Sequence, residues 1–225
     1  KLENTIVKGQ VAFFDRTPFV NSTLVLKGQD GSERAVPIDA AGNYSEPMVF
    51  PGIYTLKLDD DNYYHEPVAF EIGQSDNLAF DLTIYPGADL EVTAKLGTTN
   101  RVASGAVLRL TERGNVTVRS YVLDQKGRAS ISVPVGQYDM HIYTMERGSY
   151  MSYIGPVLLE HKDLAKVEVR LTPSVRVNGT LTRVVKSTFN DTLIRFTRSS
   201  DGQEAYAFTA SNGVYSILLP KAQYK

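Results

Sequence analysis

Apolar and polar residues alternate along most of this chain. Runs with an apolar side chain at every second position begin at Val7, Leu90 and Val175, and similar runs follow each of them. Such alternation places apolar side chains on one face of a strand and charged or hydroxyl side chains on the other. The segment 159–166 is the nearest approach to a helix, and it is too short and uncapped. We therefore predict an all-β protein.

A turn-and-strand phrase occurs three times at a nearly constant interval. Its tyrosines, Tyr54, Tyr138 and Tyr224, lie 84 and 86 residues apart, and Leu26, Leu110 and Phe196 keep the same two offsets. A period of about 85 residues with about seven short strands is typical of tandem Greek-key β-sandwich domains. The residues that we expect to form structural turns in the three copies are Gly42, Gly52, Tyr54, Gly127, Gly136, Tyr138, Gly213 and Tyr224.

The repeat predicts three domains. We place the first repeat at 1–86 and the second at 87–173, because Pro86 and Pro173 are expected to end closing strands and leave only short linkers. The third repeat, 174–225, is incomplete and lacks its last strands. Its apolar face would then be uncovered, so we expect either chain outside this sequence or a neighbouring copy to complete it.

Short turn residues have simple physical roles. A glycine allows positive φ, and an Asp side chain such as that of Asp39 accepts hydrogen bonds from the amides that follow it. We expect positive φ at Gly52 and Gly136, just before the tyrosine strand. Ala222 stands at the third equivalent site, where we expect a different turn or backbone strain.

The repeated turn-and-strand sequences around Gly42, Gly52 and Tyr54 resemble those of the carboxypeptidase regulatory-like family. The resemblance implies a prealbumin-like (transthyretin-like) β-sandwich of about 85 residues per repeat. It implies no particular activity, because such modules occur in enzymes, adhesins, transporters and surface layers. The second and third repeats depart from the pattern at Thr93, Ala210 and Ala222. In the first repeat the match runs through Gly9-Gln10-Val11, Leu24-Val25-Leu26, Asp39-Ala40-Ala41-Gly42-Asn43-Tyr44 and Pro51-Gly52-Ile53-Tyr54-Thr55-Leu56.

The amino-acid composition argues against several classes of function. The chain has 24 Lys and Arg against 25 Asp and Glu, so it lacks the basic excess that nucleic-acid binding needs. No apolar stretch approaches the roughly 18 residues of a membrane helix. Without cysteine there is no disulfide framework and no thiolate site, which fits a prokaryotic surface protein. We expect the chain, which opens at Lys1, to be a piece of a longer protein whose signal peptide and anchor lie elsewhere.

No constellation of catalytic residues emerges from the sequence. The three histidines, His65, His141 and His161, fall at unrelated places in the repeat, and none has metalloprotease spacing. The acidic loop Asp59, Asp60 and Asp61 offers oxygen ligands and is the calcium candidate, but a solvated acidic turn explains it more simply. We predict no enzyme activity, no cofactor and no resident metal.

Glycosylation sequons are about three times as frequent as composition predicts. They favour an exported glycoprotein, for which an archaeal surface-layer or adhesin-like protein is a suitable setting. The asparagines concerned are Asn21, Asn43, Asn115, Asn178 and Asn190.

We interpret the chain as a non-catalytic stalk, spacer or lattice segment of an extracellular or cell-surface protein. Its partners would be neighbouring domains of the same long chain, and surface proteins or glycans. The alternative is a carbohydrate-binding accessory of a secreted enzyme, for which Tyr143, Tyr150 and Tyr153 offer an aromatic patch. A third class, a transthyretin-like carrier of a small molecule, would need a channel between two copies.

Overall fold

The computed structural model describes residues 5–73, 76–97, 99–114, 117–146, 148–182 and 192–225. Its regular elements are all β-strands, and these ranges contain no helix. No helix in the described part of the chain is therefore long and apolar enough to cross a membrane. The chain divides into two compact units. The first comprises Lys1–Asp89, Ser132–Val135 and Glu160–Asp163, and the second comprises Leu90–Ile131, Gly136–Leu159 and Leu164–Lys225.

The first unit is built from two sheets. One sheet has the order β3-β2-β5-β7, and in the other β1 pairs with β4, β8 and β9, while β6 also pairs with β9. The strands are β1 (Ile6–Phe13), β2 (Thr23–Gly28), β3 (Glu33–Pro37), β4 (Asn43–Pro47), β5 (Gly52–Leu58), β6 (Tyr63–Tyr64), β7 (Val68–Ile72), β8 (Asn77–Ala79) and β9 (Leu82–Leu96), which continues into the second unit.

Apolar residues from both sheets form the core of the first unit. Val11 on β1 and Leu24 on β2 are fully buried, as is Leu56 on β5. These residues occupy the inward positions of alternating strands, as the sequence pattern predicts. An aromatic group at one edge, in which Phe13, Phe19 and Tyr63 make edge-to-face contacts, extends this core.

The second unit contains the remaining strands. Its largest sheet has the order β11-β10-β13-β14, β12 pairs with β9, and β15 pairs with β14 and then with β18, while β16 and β17 form a separate two-stranded sheet. The strands are β10 (Val107–Glu112), β11 (Val118–Val122), β12 (Arg128–Pro134), β13 (Gly136–Glu146), β14 (Ser149–Leu159), β15 (Leu164–Thr180), β16 (Leu193–Thr197), β17 (Glu204–Phe208) and β18 (Val214–Pro220).

Two strand pairs have the same register at a separation of 84 residues. Leu26 on β2 faces Leu56 on β5, and Leu110 on β10 faces Met140 on β13. All four side chains are buried. The equal spacing of the sequence landmarks therefore corresponds to an equal pairing of strands.

The two prolines do not end strands, which corrects one expectation from the sequence. Pro86 lies inside β9, and Pro173 lies inside β15. A proline lacks only the amide donor, and its carbonyl can still pair. The carbonyl of Pro86 accepts a hydrogen bond of 3.0 Å from the amide of Val135, and Pro173 faces Met151 across the ladder. The limits of the three repeats stay a prediction.

The apolar residues of the C-terminal segment are covered from within the same unit. Ile154 on β14 packs in one cluster with Ala207 on β17 and Leu219 on β18. We expected this face to need chain outside the sequence or a second copy, because the third repeat lacks its last strands. On β17 the buried side chains are those of Ala205 and Ala207, and Phe208 is exposed.

Candidate functional site

Three tight turns share one backbone conformation. Gly42, Gly127 and Gly213 have φ of 80°, 69° and 78°, and each donates its amide proton to the carbonyl three residues earlier, over 3.0, 3.0 and 2.8 Å. In the first two turns, Oδ1 of Asp39 or Asp124 accepts hydrogen bonds of 2.8 Å from the amides two and four residues later. The left-handed conformation is the reason for glycine at these positions.

The third turn keeps this shape with different side chains. Ala210 replaces the aspartate, and Oδ1 of Asn212 instead accepts a hydrogen bond of 3.1 Å from the amide of Val214. The turn therefore depends on its glycine and on one nearby side-chain acceptor, whose position in the loop can change.

The predicted positive φ at Gly52 is wrong. Gly52 has an ordinary strand conformation, whereas Gly136 has the predicted positive φ, at 156°. Both glycines lie beside the ring of the tyrosine two residues later, at ordinary contact distances of 3.4 Å for Tyr54 and 3.6 Å for Tyr138 from an added Cβ. Ala222, at the third equivalent site, does not have positive φ, so the backbone strain expected there is absent.

The tyrosines of the repeated phrase anchor the turns that precede them. The hydroxyl of Tyr54 donates a hydrogen bond of 3.0 Å to the carbonyl of Phe50, and that of Tyr224 donates one of 3.0 Å to the carbonyl of Pro220. In both cases the acceptor lies four residues upstream, as in the tyrosine corner of β-sandwiches. Tyr138 is completely buried. These residues are structural.

The acidic loop is organised by its own hydrogen bonds. Oδ1 of Asp60 accepts bonds of 3.0 and 2.9 Å from the amide and the side chain of Asn62. Across the described ranges, no group of three or more His, Cys, Asp or Glu side chains is placed to hold a metal ion, and this includes Asp59, Asp60 and Asp61. The geometry is that of a simple Asx turn.

Three of the five sequon asparagines fall in the described part of the chain, and all three are exposed. Asn21 lies in a loop with φ of 60°, Asn43 opens β4, and Asn178 lies on β15 opposite Ser216. Asn115 and Asn190 lie outside the described residues.

Two of the histidines have simple surroundings. His65 is buried at the edge of the first unit, where Nε2 accepts the amide proton of Leu58 at 2.5 Å and Nδ1 donates to the carbonyl of Glu66 at 2.9 Å. Burial lowers the pKa of this imidazole. His161 is exposed, with its ring 5.6 Å from that of Tyr63.

The remaining histidine lies on the outer face of β13, which is the candidate site. Alternation along β13 directs Met140 and Ile142 into the core and places Asp139, His141 and Tyr143 on the opposite face. The sequence pattern assigns that face to solvent. In the structure Asp139 and His141 are only 2% and 4% exposed, because β17 and β18 cover them.

Asp139 is the centre of a hydrogen-bonded polar cluster. Arg113 approaches both of its carboxylate oxygens, with Nη2 2.6 Å from Oδ1 and Nε 3.1 Å from each oxygen. The hydroxyl oxygen of Tyr206 lies 3.2 Å from Oδ2 of Asp139 and donates its proton to Glu204, at 2.5 Å. Burial, and then the hydrogen bond to Glu204, raise the pKa of Tyr206. The cluster joins β13 to β17 and leaves no group free for chemistry.

His141 has one satisfied and one unsatisfied nitrogen. Nε2 lies 2.7 Å from the carbonyl oxygen of Leu218, which can only accept, so Nε2 carries the proton and donates it. Burial, opposed by that bond and reinforced by the charge of Arg109, lowers the pKa of His141 to about 4. The ring is therefore neutral at pH 7. Nδ1 is then a buried acceptor, and it has no hydrogen-bond partner among the described residues.

Two arginines flank His141. Arg109 faces His141 directly across the β10–β13 ladder, and its Cζ lies 5.4 Å from the ring centroid of Tyr143. Arg176 on β15 has its Cζ 4.7 Å from the ring centroid of Tyr150. Both arginines, His141 and Tyr143 line a half-open cavity of about 150 Å³, together with residues of β18. Nε of Arg109 is buried there without a hydrogen-bond partner among the described residues.

The aromatic patch suggested by the sequence divides between the two faces of the sheet. Tyr143 faces Ser152 and Met145 faces Tyr150 across the β13–β14 ladder, so the two tyrosines share the outer face. Tyr153 follows Ser152 directly, so its side chain lies on the opposite face of β14, where its ring covers Gly155. Tyr153 is therefore not part of the candidate site.

Sequence reasoning missed the two arginines. Neither belongs to a recognisable motif, and the signal available was only that Arg109 and His141 occupy outward positions of neighbouring strands. With two arginines at a half-open cavity, the site has the chemistry of a binding site for an anion.

No known protein family matches the chain, and no curated protein matches it. Several solved structures are distantly similar. The Bacillus anthracis TIE protein is 14% identical with a TM-score of 0.38, over 99% of this chain and 44% of its own. A leucine-rich repeat protein from Bacteroides thetaiotaomicron is 12% identical with a TM-score of 0.43, over 75% of this chain and 26% of its own. The minor pilin GBS52 of Streptococcus agalactiae is 14% identical with a TM-score of 0.36, over 81% of this chain and 99% of its own.

This chain therefore spans less than half the length of the first two proteins. At these TM-scores the similarities carry no weight for the fold or the function.

Proposed function

We propose that the chain is a non-catalytic structural or adhesive module of a larger extracellular or cell-surface protein. It would act as a stalk, spacer or lattice segment, built from tandem prealbumin-like sandwiches of about 85 residues. The observation that carries the proposal is the equal register of Leu26 with Leu56 and of Leu110 with Met140, 84 residues apart. A unit that repeats both its sequence phrase and its strand pairing is suited to extension by stacking.

The continuity of β15 supports a mechanical role. This strand of 17 residues passes through the predicted boundary at Pro173 without interruption. Its residues 172–173 pair with β14, and its residues 174–180 pair with β18. A load applied along β15 would be shared by ladders on both sides of the boundary. A flexible linker at the same place would instead let the two parts separate freely.

Surface exposure of the described sequon asparagines supports an exported location. Asn21, Asn43 and Asn178 are exposed, as attachment of a glycan requires. Occupied sequons would also suit partners at a surface, such as neighbouring domains of the same chain, surface proteins or glycans.

Replacement of the segment in the full-length protein tests this proposal. We expect antibodies to the chain to label intact source cells. Deletion of the segment should reduce the adhesion of the cells, or the distance at which the functional end of the protein is held from the cell surface. Substitution by an unrelated rigid sandwich of equal length should restore that distance if the segment is a spacer. If that distance is restored and adhesion is not, the segment is an adhesive module. Labelling only after lysis, or turnover of a substrate by the purified chain, would contradict the proposal.

A second candidate function is carbohydrate binding as an accessory to a secreted enzyme. The observation that favours it is the pairing of Tyr143 and Tyr150 with Arg109 and Arg176 around a half-open cavity. Aromatic rings and arginines together are common in sites that recognise polar ligands. Binding of the purified chain to a glycan array would test this candidate.

A further inference from the structure

The position four residues before the repeated tyrosine differs in exposure between the three predicted repeats. Pro134 and Pro220 stand at this position in the second and third repeats, and both are buried. Phe50 stands there in the first repeat and is 54% exposed, and Met48, two residues earlier, is 66% exposed. Val49 between them is buried in the core of the first unit. Of the three segments, as far as the chain is described, the one around Phe50 is therefore left uncovered.

The segment of the second repeat is covered by residues of the first. Ser132–Val135 belongs to the first unit, although its place in the sequence is in the predicted second repeat. The amide of Val135 donates a hydrogen bond of 3.0 Å to the carbonyl of Pro86, the last residue of the predicted first repeat. Val133 is fully buried. This segment therefore packs into the repeat that precedes its own.

The segment of the third repeat is covered in the same way. The carbonyl of Leu218 accepts a hydrogen bond of 2.7 Å from Nε2 of His141. The next residue, Leu219, packs in one cluster with Ile154. His141 and Ile154 both belong to the predicted second repeat. Twice in this chain, the segment before the tyrosine strand docks on the repeat that precedes it.

The uncovered segment is held in a fixed conformation. Met48 has φ of 55°, a left-handed conformation that residues other than glycine seldom adopt. Nη1 of Arg34 donates to Oε1 of Glu46 at 3.2 Å and to the carbonyl of Met48 at 3.4 Å. The Cζ atom of Arg34 also lies 5.9 Å from the ring centroid of Phe50. Backbone strain of this kind is concentrated at functional sites, which indicates that the exposed side chains have a partner.

The segment lies where a preceding domain would be attached. Ile6, the first residue of β1, faces Pro47, and the amide of Val49 donates a hydrogen bond of 3.4 Å to the carbonyl of Thr5. A domain joined through a short connection has an effective concentration on the order of mM, so even a small apolar contact would be occupied. A second copy in solution lacks that advantage.

We propose that Met48 and Phe50 form a docking surface for another sandwich domain of the same protein, one that precedes Thr5 along the chain. The proposal rests on the proposed function and names the partner that covers this surface. The docked domain would contribute apolar side chains from a sheet face, as Ile154 does for Leu219.

Oxidation by dilute hydrogen peroxide measures whether this surface is covered, because the reagent converts accessible methionine to its sulfoxide. Met48 and Met145 make a matched pair, since they are 66% and 63% exposed. In the isolated 225-residue chain we expect both to be oxidised at similar rates. In the full-length protein, Met48 should be oxidised about tenfold more slowly than Met145, the protection expected when the docked form outnumbers the free form about ten to one.

Two matched variants of the full-length protein test whether docking is responsible. Phe50→Ser should restore rapid oxidation of Met48, because the docked domain loses an apolar contact. Phe14→Ser, at a phenylalanine of the same unit that is 73% exposed, should leave the protection unchanged. A photo-crosslinking analogue in place of Phe50 should capture a peptide that precedes Lys1 in the full-length sequence.

The outcomes separate this proposal from the function on which it rests. Equal oxidation of Met48 and Met145 in the full-length protein would overturn the docking surface. It would leave the structural module in place, since that function is tested by labelling and deletion on cells. Unchanged protection in the Phe50→Ser protein, or capture of any other segment or protein, would also overturn the proposal. Protection of Met48 that rises with the concentration of the 225-residue chain would identify a second copy as the occupant, and not a preceding domain.

Discussion

The ring of Tyr215 on β18 lies directly over Gly179, its partner on β15. A Cβ atom added at Gly179 would be 2.3 Å from the tyrosine hydroxyl oxygen and 2.4 Å from Cζ. The same pairing occurs in the first unit, where Gly9 faces Tyr44 and an added Cβ would be 3.0 Å from the tyrosine ring. At both positions the glycine provides space for an aromatic ring on the neighbouring strand, and at Gly9 an added Cβ would also meet the carbonyl oxygen of Phe80, at 1.9 Å.

Gly179→Ala should destabilise the C-terminal part of the second unit. The added methyl group cannot coexist with the present position of Tyr215, and overpacking of this kind costs about 1–3 kcal/mol. Amide hydrogen exchange along β15 and β18 should accelerate accordingly. Gly179→Ala combined with Tyr215→Ala should recover part of the protection. Unchanged exchange in the single variant would show that the ring moves aside at no cost.

Gly127→Ala should destabilise the protein much more than Gly52→Ala. Gly127 has φ of 69°, and an added Cβ would be 2.8 Å from the carbonyl oxygen of Ala94, so alanine should cost 1 kcal/mol or more, on the order of the strain expected for such a conformation. At Gly52 the conformation is ordinary and the nearest atom is 3.4 Å away, so alanine should change the free energy of unfolding by less than about 0.5 kcal/mol. Urea unfolding of both variants measures the difference. A large loss at Gly52 would contradict this account.

Arg113→Gln should leave the carboxylate of Asp139 buried without its main partner. The loss expected is about 2 kcal/mol, below the ~3–5 kcal/mol for a fully buried pair, because the side chain of Arg113 is 41% exposed. The double variant Arg113→Gln with Asp139→Asn removes the uncompensated charge and should recover part of that loss. A double-mutant cycle by urea unfolding gives the coupling energy. Additive effects of the two changes would show that the pair is not coupled.

Stability should decrease with acidification because of His141. Its pKa is about 4 in the folded chain and about 6.5 when unfolded, so between these values only the unfolded state takes up the proton. The free energy of unfolding should therefore fall by about 3 kcal/mol from pH 6.5 to pH 4, on the scale of about 1.4 kcal/mol per pKa unit.

His141→Gln should flatten that part of the pH profile. The control His161→Gln, at an exposed histidine, should retain the slope. Arg109 and Arg176 keep their charge throughout the range, and the lowered pKa of His65 contributes equally to all three proteins. The same slope in the His141→Gln protein would contradict the assignment.

Glycans on the protein from its natural source should be found on exposed sequons. Mass spectrometry of its peptides should detect them at Asn21, Asn43 or Asn178, each of which is exposed. Asparagine to glutamine at Asn178 should remove only the local glycan. Unmodified peptides at all three sites would contradict the glycoprotein proposal.

Much of the strand structure follows from local patterns in the sequence. The alternation from Val7 and from Leu90 correctly predicts strands, and the inward positions of the tyrosine strand, such as Met140, are buried as expected. Alternation succeeds because neighbouring side chains of a strand must point to opposite faces. The expectation that proline ends a strand is wrong at Pro86 and Pro173, since the loss of one amide donor does not end a strand whose carbonyls still pair.

The sequence by itself determined the strand class, the spacing of the repeated phrase and the glycine turns, because these depend on contacts within a few residues. Only the tertiary structure decided that the outer face of β13 is buried. That burial depends on β17 and β18, which follow more than sixty residues later along the chain and bring the carbonyl of Leu218 to His141. Period-two patterning distinguishes the faces of a strand but carries no information about which distant strand covers each face. The cavity, its two arginines and the unpaired imidazole nitrogen are consequences of that packing.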